Sequence, residues 1–195
     1  MTDQTTANHE NNNTQPLTDK PVRKFSLTPL KYHLIFWPIV IAGISADLWT
    51  KSAIFDWLIN SRNSTYTVIQ GFFRFVLAQN EGAAFGIASG QRYLLTTVSV
   101  VALILILFIF LFGQIKQKLL IVALAMFTGG ICGNLYDRIF NHGCVRDFID
   151  IVYWPGKHWP AFNIADSLLC VAMALILISS FLTEMSGQKH DSQQK

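Results

Sequence analysis

The chain has 195 residues, of which 51% are hydrophobic and only 14% are charged, and its net charge is +3. This composition predicts one membrane-embedded domain and argues against a large water-soluble core. Basic residues are scattered and are not interleaved with aromatic ones, so we expect no nucleic-acid partner. The three cysteines lack CxxC spacing, so we predict neither a disulfide framework nor a zinc site.

Residues 1–30 are polar and have almost nothing to bury, which predicts a disordered cytoplasmic tail. The N-terminus lacks the pattern of a cleavable signal, so the first apolar stretch is expected to remain as an anchor. A helix needs about 20 apolar residues to cross a bilayer. We predict four crossings, at 32–49, 93–112, 119–136 and 164–182, within a single domain at 31–184 that is followed by a short polar cytoplasmic tail at 185–195.

Lysine and arginine residues precede the first apolar stretch and also occupy the short loop 113–118. They are Lys20, Arg23, Lys24, Lys31, Lys116 and Lys118. By the positive-inside rule, both regions are expected on the cytoplasmic side. The segments 50–92 and 137–163 then face the outside of the cell, and both termini face the cytoplasm.

The first outer segment contains two runs that are rich in β-branched and aromatic residues, 65–69 and 72–80, separated by Gln70 and Gly71. This pattern predicts a hairpin or small curved sheet on the membrane surface. Alternation would place Phe73, Phe75 and Leu77 on one face of the second run. It would place Arg74, Val76 and Asn80 on the other face. The run NEGAAFG follows, and its small residues would let a peptide backbone approach closely, although a plain turn explains them as well.

Polar residues gather where the third crossing ends and the fourth begins. Asn134, Asp137 and Arg138 have i, i+3 and i+4 spacing and therefore share one helix face. A chemical role and a structural pair of Arg138 with Asp137 or Asn134 explain this spacing equally well. Asn163 is a plausible N-cap for the last helix, and Asp166 lies in its first turn, where the helix dipole favours a carboxylate.

Asp147 and Asp150 lie in the alternating stretch VRDFIDI, so they should face opposite sides of an extended segment. One is expected to approach the last helix, and the other to meet water or Arg146. Two neighbouring carboxylates share a proton and can act together as general acid and general base, as in aspartic proteases.

Other chemistries have less support in the sequence. No HExxH motif for a zinc protease is present, and His142 and His158 are interpreted as unpaired loop histidines. Magnesium or calcium binding by the aspartates stays open. An ion-coupled transporter is the main alternative to a hydrolase, but it fits less well because no inverted repeat and no acid pair at mid-membrane depth is visible.

The chain resembles the bacterial lipoprotein signal peptidases (signal peptidase II). Five motifs occur in the family's order: DLWTK at 47–51, NEGAAF at 80–85, GNLYDR at 133–138, VRDF at 145–148 and FNIAD at 162–166. The resemblance covers residues 32–182. The interval between Asp137 and Asp147 is slightly longer than in the family's pattern, an insertion that a loop tolerates. Asp147 is chosen over Asp150 because it matches Val-x-Asp-Phe.

The resemblance implies an all-α membrane protein with four transmembrane helices and a small extracytoplasmic β-cradle. It also implies an aspartyl endopeptidase of the bacterial inner membrane, active near the periplasmic face. Such an enzyme cuts diacylglyceryl-modified prolipoproteins N-terminal to the lipidated cysteine, and it is inhibited by globomycin. We expect it to act as a monomer, in contact with membrane lipid and without a cofactor.

The family's site residues carry over by motif. Asp147 and Asp166 become the catalytic dyad. The resemblance assigns substrate binding to Asn80, Asn134, Asp137, Arg138 and Asn163. Asp47 and Lys51 would support the site.

Overall fold

The computed structural model describes residues 27–83 and 87–192, with side chains described as far as residue 185. Residues 1–26 of the predicted N-terminal tail, residues 193–195, and Ala84, Phe85 and Gly86 of the NEGAAFG run lie outside the described residues. The helices are α1 (Leu30–Asn60), α2 (Arg92–Phe112), α3 (Lys118–Phe140) and α4 (Ile164–Ser192). All four are long and apolar enough to cross a membrane, which agrees with the four predicted crossings.

Two helices continue well past the apolar stretches that predicted them. Helix α1 ends at Asn60 rather than near Trp49, and α3 ends at Phe140 rather than at Tyr136. The charged residues Lys51 and Asp137 that interrupt the hydropathy are fully buried and paired, so they do not end the helices. Hydropathy thus located the membrane-crossing part of each helix but not its end. Helix α4 likewise continues through most of the predicted polar tail.

Helix α3 is the central helix and packs against α1, α2 and α4. Its buried face is rich in small residues, including Gly129, Gly130 and Gly133, which let the neighbouring backbones approach closely. At the other end of the bundle, the ring of Phe36 in α1 stacks on Phe110 in α2 with 3.8 Å between centroids. This cluster of buried aromatic and aliphatic residues closes the end remote from the polar residues.

Gly130 provides a test of this packing. A methyl group there would lie 2.7 Å from the Ala165 carbonyl oxygen and 2.8 Å from Leu169 Cγ, whereas one at Gly129 would meet only ordinary contacts beginning at 3.5 Å. We expect Gly130→Ala to destabilise the protein by about 1–3 kcal/mol, as overpacking does, and Gly129→Ala to be tolerated. Thermal melting in detergent measures both variants, and equal melting temperatures would contradict close α3–α4 packing at this point.

The strands are β1 (Thr65–Ile69), β2 (Phe73–Asn80), β3 (Val145–Trp154) and β4 (Lys157–His158), and they form one antiparallel sheet in this order. The predicted hairpin and the predicted extended segment after Asp137 are therefore both confirmed. A label of all-α is too simple for a chain with a four-stranded sheet. A bulge between Phe75 and Ala78 interrupts the strict alternation on which the predicted face assignment of β2 depended.

The sheet is fastened to the beginning of α4. Phe162 donates to the carbonyl of Ile149 at 3.1 Å, and its own carbonyl accepts from the amides of Phe148 and Ile149 at 3.1 and 2.9 Å. These bonds hold β3 beside the first turn of α4. Asp147 on β3 is thereby brought close to Asn163 and Asp166, which lie 16 and 19 positions further along the chain.

Candidate active site

A buried ionic network lies between α1 and α3. The ammonium of Lys51 is 2.7 Å from Asp47 Oδ2 and 3.3 Å from Asp137 Oδ2, and all three side chains have no exposed surface. Lys51 Nζ also donates to Asn134 Oδ1 at 3.0 Å. Buried charges are tolerated only with such close pairing. The network therefore holds Asn134 in place from the side of α1.

A capping box begins helix α4. Asn163 Oδ1 accepts from the backbone amide of Asp166 at 2.9 Å, and Asp166 Oδ2 accepts from the backbone amide of Asn163 at 3.2 Å. The predicted N-cap is confirmed, and Asp166 is the reciprocal partner of the box. The other carboxylate oxygen, Asp166 Oδ1, accepts from Asn134 Nδ2 at 2.8 Å.

Asp147 on β3 is held by two amide side chains. Its Oδ1 accepts from Asn163 Nδ2 at 2.6 Å, and its Oδ2 accepts from Asn80 Nδ2 at 3.1 Å. With the bonds to Asp166, all four oxygens of the two carboxylates accept an N–H. Asn163 and Asn134 connect the two acids, since Asn163 Nδ2 also donates to Asn134 Oδ1 at 3.1 Å.

Burial raises the pKa of Asp147 to about 7, and the neighbouring charge of Asp166 acts in the same direction. The amides of Asn80 and Asn163 oppose this rise because they bond to the charged form. A carboxyl group of this kind can hold a proton near neutral pH and release it to a reacting group. With the second carboxyl group of Asp166 on the same cavity, the arrangement offers a general acid and a general base.

Both acids line a cavity of about 680 Å³, together with Asn80, Asn134 and Arg138. Apolar residues complete the wall: Pro160, Ala161, Phe162, Leu169 and Val171. Arg138 donates from Nη2 to the Gly82 carbonyl at 3.2 Å, and its buried Nε has no hydrogen-bond partner among the described residues. Among the residues that the structure describes, no group of three or more His, Cys, Asp or Glu side chains could hold a metal ion.

The remaining predicted site residues lie behind the cavity rather than on its wall: Asp47, Lys51, Asp137 and Asn163. Asp137 accepts from Arg146 Nη2 at 2.7 Å and from the backbone amide of Arg146 at 2.9 Å. The suggested pairing of Arg138 with Asp137 or Asn134 is therefore wrong, because Arg146 and Lys51 occupy Asp137. Arg146 was overlooked as a site residue, although the need of a buried carboxylate for a cation could have drawn attention to it.

Asp147 and Asp150 point to opposite sides of β3, as predicted, but the partner expected for Asp150 was wrong. Asp150 is buried and pairs with Arg74 on β2 and with His158 on β4, whose Nδ1 lies 3.0 Å from Asp150 Oδ1. His158 is thus not an unpaired loop histidine. Pairing across three strands was not visible in the sequence because β4 has only two residues.

Known proteins similar to this chain identify its family. The family model for signal peptidase (SPase) II matches residues 39–182. The chain belongs to the signal peptidase II family. It is therefore a peptidase, and its four apolar helices make it a multi-pass membrane protein.

Relatives in this family are similar over most of the chain. The lipoprotein signal peptidase of Alteromonas mediterranea is 39% identical over 166 residues, covering 82% of this chain and 85% of the relative. That of Rhodopirellula baltica is 37% identical over 169 residues, covering 78% and 74%. A bacterial membrane enzyme solved by the in meso method at 2.3 Å has a TM-score of 0.63 and 31% identity, covering 80% and 90%.

Proposed function

We propose that this peptidase removes the signal peptide from diacylglyceryl-modified prolipoproteins by cutting on the N-terminal side of the lipidated cysteine. Asp147 and Asp166 form its catalytic dyad. The observation that carries the proposal is the meeting of these two carboxylates on one cavity, each oxygen held by an N–H group. Family membership supplies the substrate class, since the relatives are lipoprotein signal peptidases.

In the proposed reaction, ionised Asp166 takes a proton from a water molecule, whose oxygen attacks the carbonyl carbon before the lipidated cysteine. Protonated Asp147 gives its proton to the leaving amide nitrogen, and the C–N bond breaks. The products are a peptide with a new carboxyl end and a lipidated cysteine with a free amine. Return of the proton from Asp166 to Asp147 restores the dyad. We assign Asp147 as the acid because its raised pKa keeps it protonated up to about pH 7.

Arg138 and Asn80 are suited to hold the substrate. Arg138 lines the cavity, where its guanidinium can donate to the substrate carbonyl and stabilise the oxyanion that develops there. Asn80 reaches the cavity from the sheet, and its Oδ1 is occupied by the amide of Gly82 at 2.9 Å. Asp137 and Asn163 act on the substrate indirectly, because they position Arg146 and Asp147.

The membrane setting follows from the topology. The cavity lies at the end of the bundle where α1 and α3 end and α4 begins, and its apolar wall suits the acyl chains of the substrate. We place this end near the periplasmic face of the bacterial inner membrane, with both termini in the cytoplasm, because the basic loops lie at the opposite end. The sheet is then the extracytoplasmic β-cradle. We expect a monomer that binds globomycin.

Cleavage of a purified diacylglyceryl prolipoprotein in detergent tests the proposal. The protein should convert the precursor without any membrane gradient, whereas a transporter would leave it unchanged. We expect no loss of activity with EDTA, because the proposed pair of carboxyl groups activates water by proton transfer alone. An unlipidated precursor serves as the control and should be cut poorly. Inhibition by EDTA that added magnesium or calcium reverses would contradict the metal-free mechanism.

A further inference from the structure

The ammonium of Lys51 carries only hydrogen-bond donors, so a side chain that bonds to it must present an acceptor. Lys51 Nζ lies 3.0 Å from the side-chain amide of Asn134, which therefore presents its oxygen to α1. The nitrogen of the same amide then points the opposite way, toward the cavity. There it donates to Asp166 Oδ1 at 2.8 Å.

Asn163 supports the same orientation. Its Oδ1 is occupied by the backbone amide of Asp166, so its nitrogen faces Asn134 Oδ1 at 3.1 Å and Asp147 Oδ1 at 2.6 Å. If the Asn134 amide turned over, its nitrogen would meet two donors, from Lys51 and Asn163. Its oxygen would at the same time face the carboxylate of Asp166. The donors of Lys51 and Asn163 thus together oppose a rotation that would disturb both acids.

We propose that Lys51 is a positioning residue that fixes the Asn134 amide, so that each carboxylate of the dyad faces N–H groups. This inference rests on the proposed function of Asp147 and Asp166. Asp47 and Asp137 hold the ammonium in place, and Asp47 Oδ1 also accepts from the Ala165 amide at 2.8 Å. Through Asp47, the lysine on α1 is therefore held in a fixed position relative to the first turn of α4, which carries Asp166.

The test uses a charge-balanced variant, Lys51→Met combined with Asp47→Asn. Loss of the lysine alone would leave buried Asp47 without its cation, whereas Asp137 keeps Arg146. The asparagine at 47 removes that unpaired charge and keeps an oxygen for the Ala165 amide. In cleavage of the diacylglyceryl prolipoprotein in detergent, we expect kcat to fall about 100-fold, with KM nearly unchanged. Thr128→Val is the matched control and should cleave like the wild type, since among the described residues this buried hydroxyl bonds to the Leu124 carbonyl within α3.

A mutant cycle separates positioning from a general structural role. If Lys51 acts through Asn134, the charge-balanced change should cost no further activity in an Asn134→Ala background. The proposal would be overturned if the activity losses from the charge-balanced change and from Asn134→Ala multiply when combined. It would also be overturned if the charge-balanced variant shows a raised KM with unchanged kcat.

Asn134→Asp is a second test that does not depend on removing a buried ion pair. The new carboxylate keeps an acceptor for Lys51 but cannot donate to Asp166, so we expect loss of cleavage. Because the substitution also places a second carboxyl group beside Asp166, thermal melting is measured on the same sample. Cleavage at the wild-type kcat would overturn the proposal. The dyad itself is tested by Asp147→Asn and Asp166→Asn. Cleavage by those two variants would refute the proposed function. If they are inactive but the losses from the charge-balanced change and from Asn134→Ala multiply, only the role of Lys51 is refuted.

Discussion

Asp147→Asn and Asp166→Asn should each reduce kcat for prolipoprotein cleavage by about 1,000-fold or more, because each removes one member of the proposed general acid–base pair. The asparagine at 147 can still bond to Asn163 or Asn80 through its oxygen, and the asparagine at 166 keeps an oxygen for the capping box. Both variants should therefore fold and insert. Single-turnover cleavage of the purified variants measures the chemical step separately from product release.

Asp150→Asn is a matched control for this prediction. Asp150 is on the same strand as Asp147 and is also buried, but it lies on the opposite side, paired with Arg74 and His158. The same substitution there should leave cleavage within a few-fold of the wild type. Full activity in Asp147→Asn or Asp166→Asn would refute the assignment of these two residues as the catalytic pair. The assignment would also fail if only Asp150→Asn lost the chemical step.

The pH profile of cleavage should fall on its alkaline side with a midpoint near pH 7. The pKa of Asp147 is raised to about 7 by burial and by the charge of Asp166, so above this pH Asp147 loses the proton that the leaving nitrogen needs. We expect kcat to fall about tenfold for each further pH unit. A rate that instead rises through pH 7 would assign Asp147 as the base.

Stability gives an independent check on the same group. Because Asp147 binds its proton more tightly in the folded than in the unfolded protein, its contribution to the free energy of unfolding is fully present below its ordinary pKa of 3.8. That contribution is lost as the pH rises through about 7. The melting temperature of the wild type should therefore fall relative to that of Asp147→Asn between about pH 4 and about pH 7 and level off above that range. Parallel curves would show that the pKa of Asp147 is not raised.

Much of the fold could be predicted from composition and pattern. The charge-free stretch that became α2 and the paired runs that became β1 and β2 depend on local signals, hydropathy and alternation, which survive folding unchanged. Helix ends were less predictable. Lys51 and Asp137 look like polar interruptions in the sequence, but each finds a buried partner of opposite charge, so the helix continues.

For the candidate site, the sequence predicted which residues belong to it but not how they are paired. The acids and amides around the cavity were named through their match to family motifs, and the structure brings Asp147, Asp166, Asn80, Asn134 and Arg138 together. Their catalytic and binding roles stay predictions. The partners were not foreseen, because they are distant in the chain. Lys51 bonds to a residue 83 positions away, and Arg74 meets Asp150 across 76 positions.

The capping box gives Asp166 a structural role beside its proposed catalytic one, and this limits how the enzyme could escape an inhibitor. Under the proposed mechanism, most replacements of Asp166 would both stop hydrolysis and loosen the start of α4, and asparagine, which keeps an oxygen for the capping box, would still stop hydrolysis. Under that mechanism, resistance to a compound that binds the Asp166 carboxylate cannot arise by exchange of that residue. Substitutions that evade such a drug should arise instead in the apolar cavity wall, for example at Leu169 or Val171, where no polar contact is at stake.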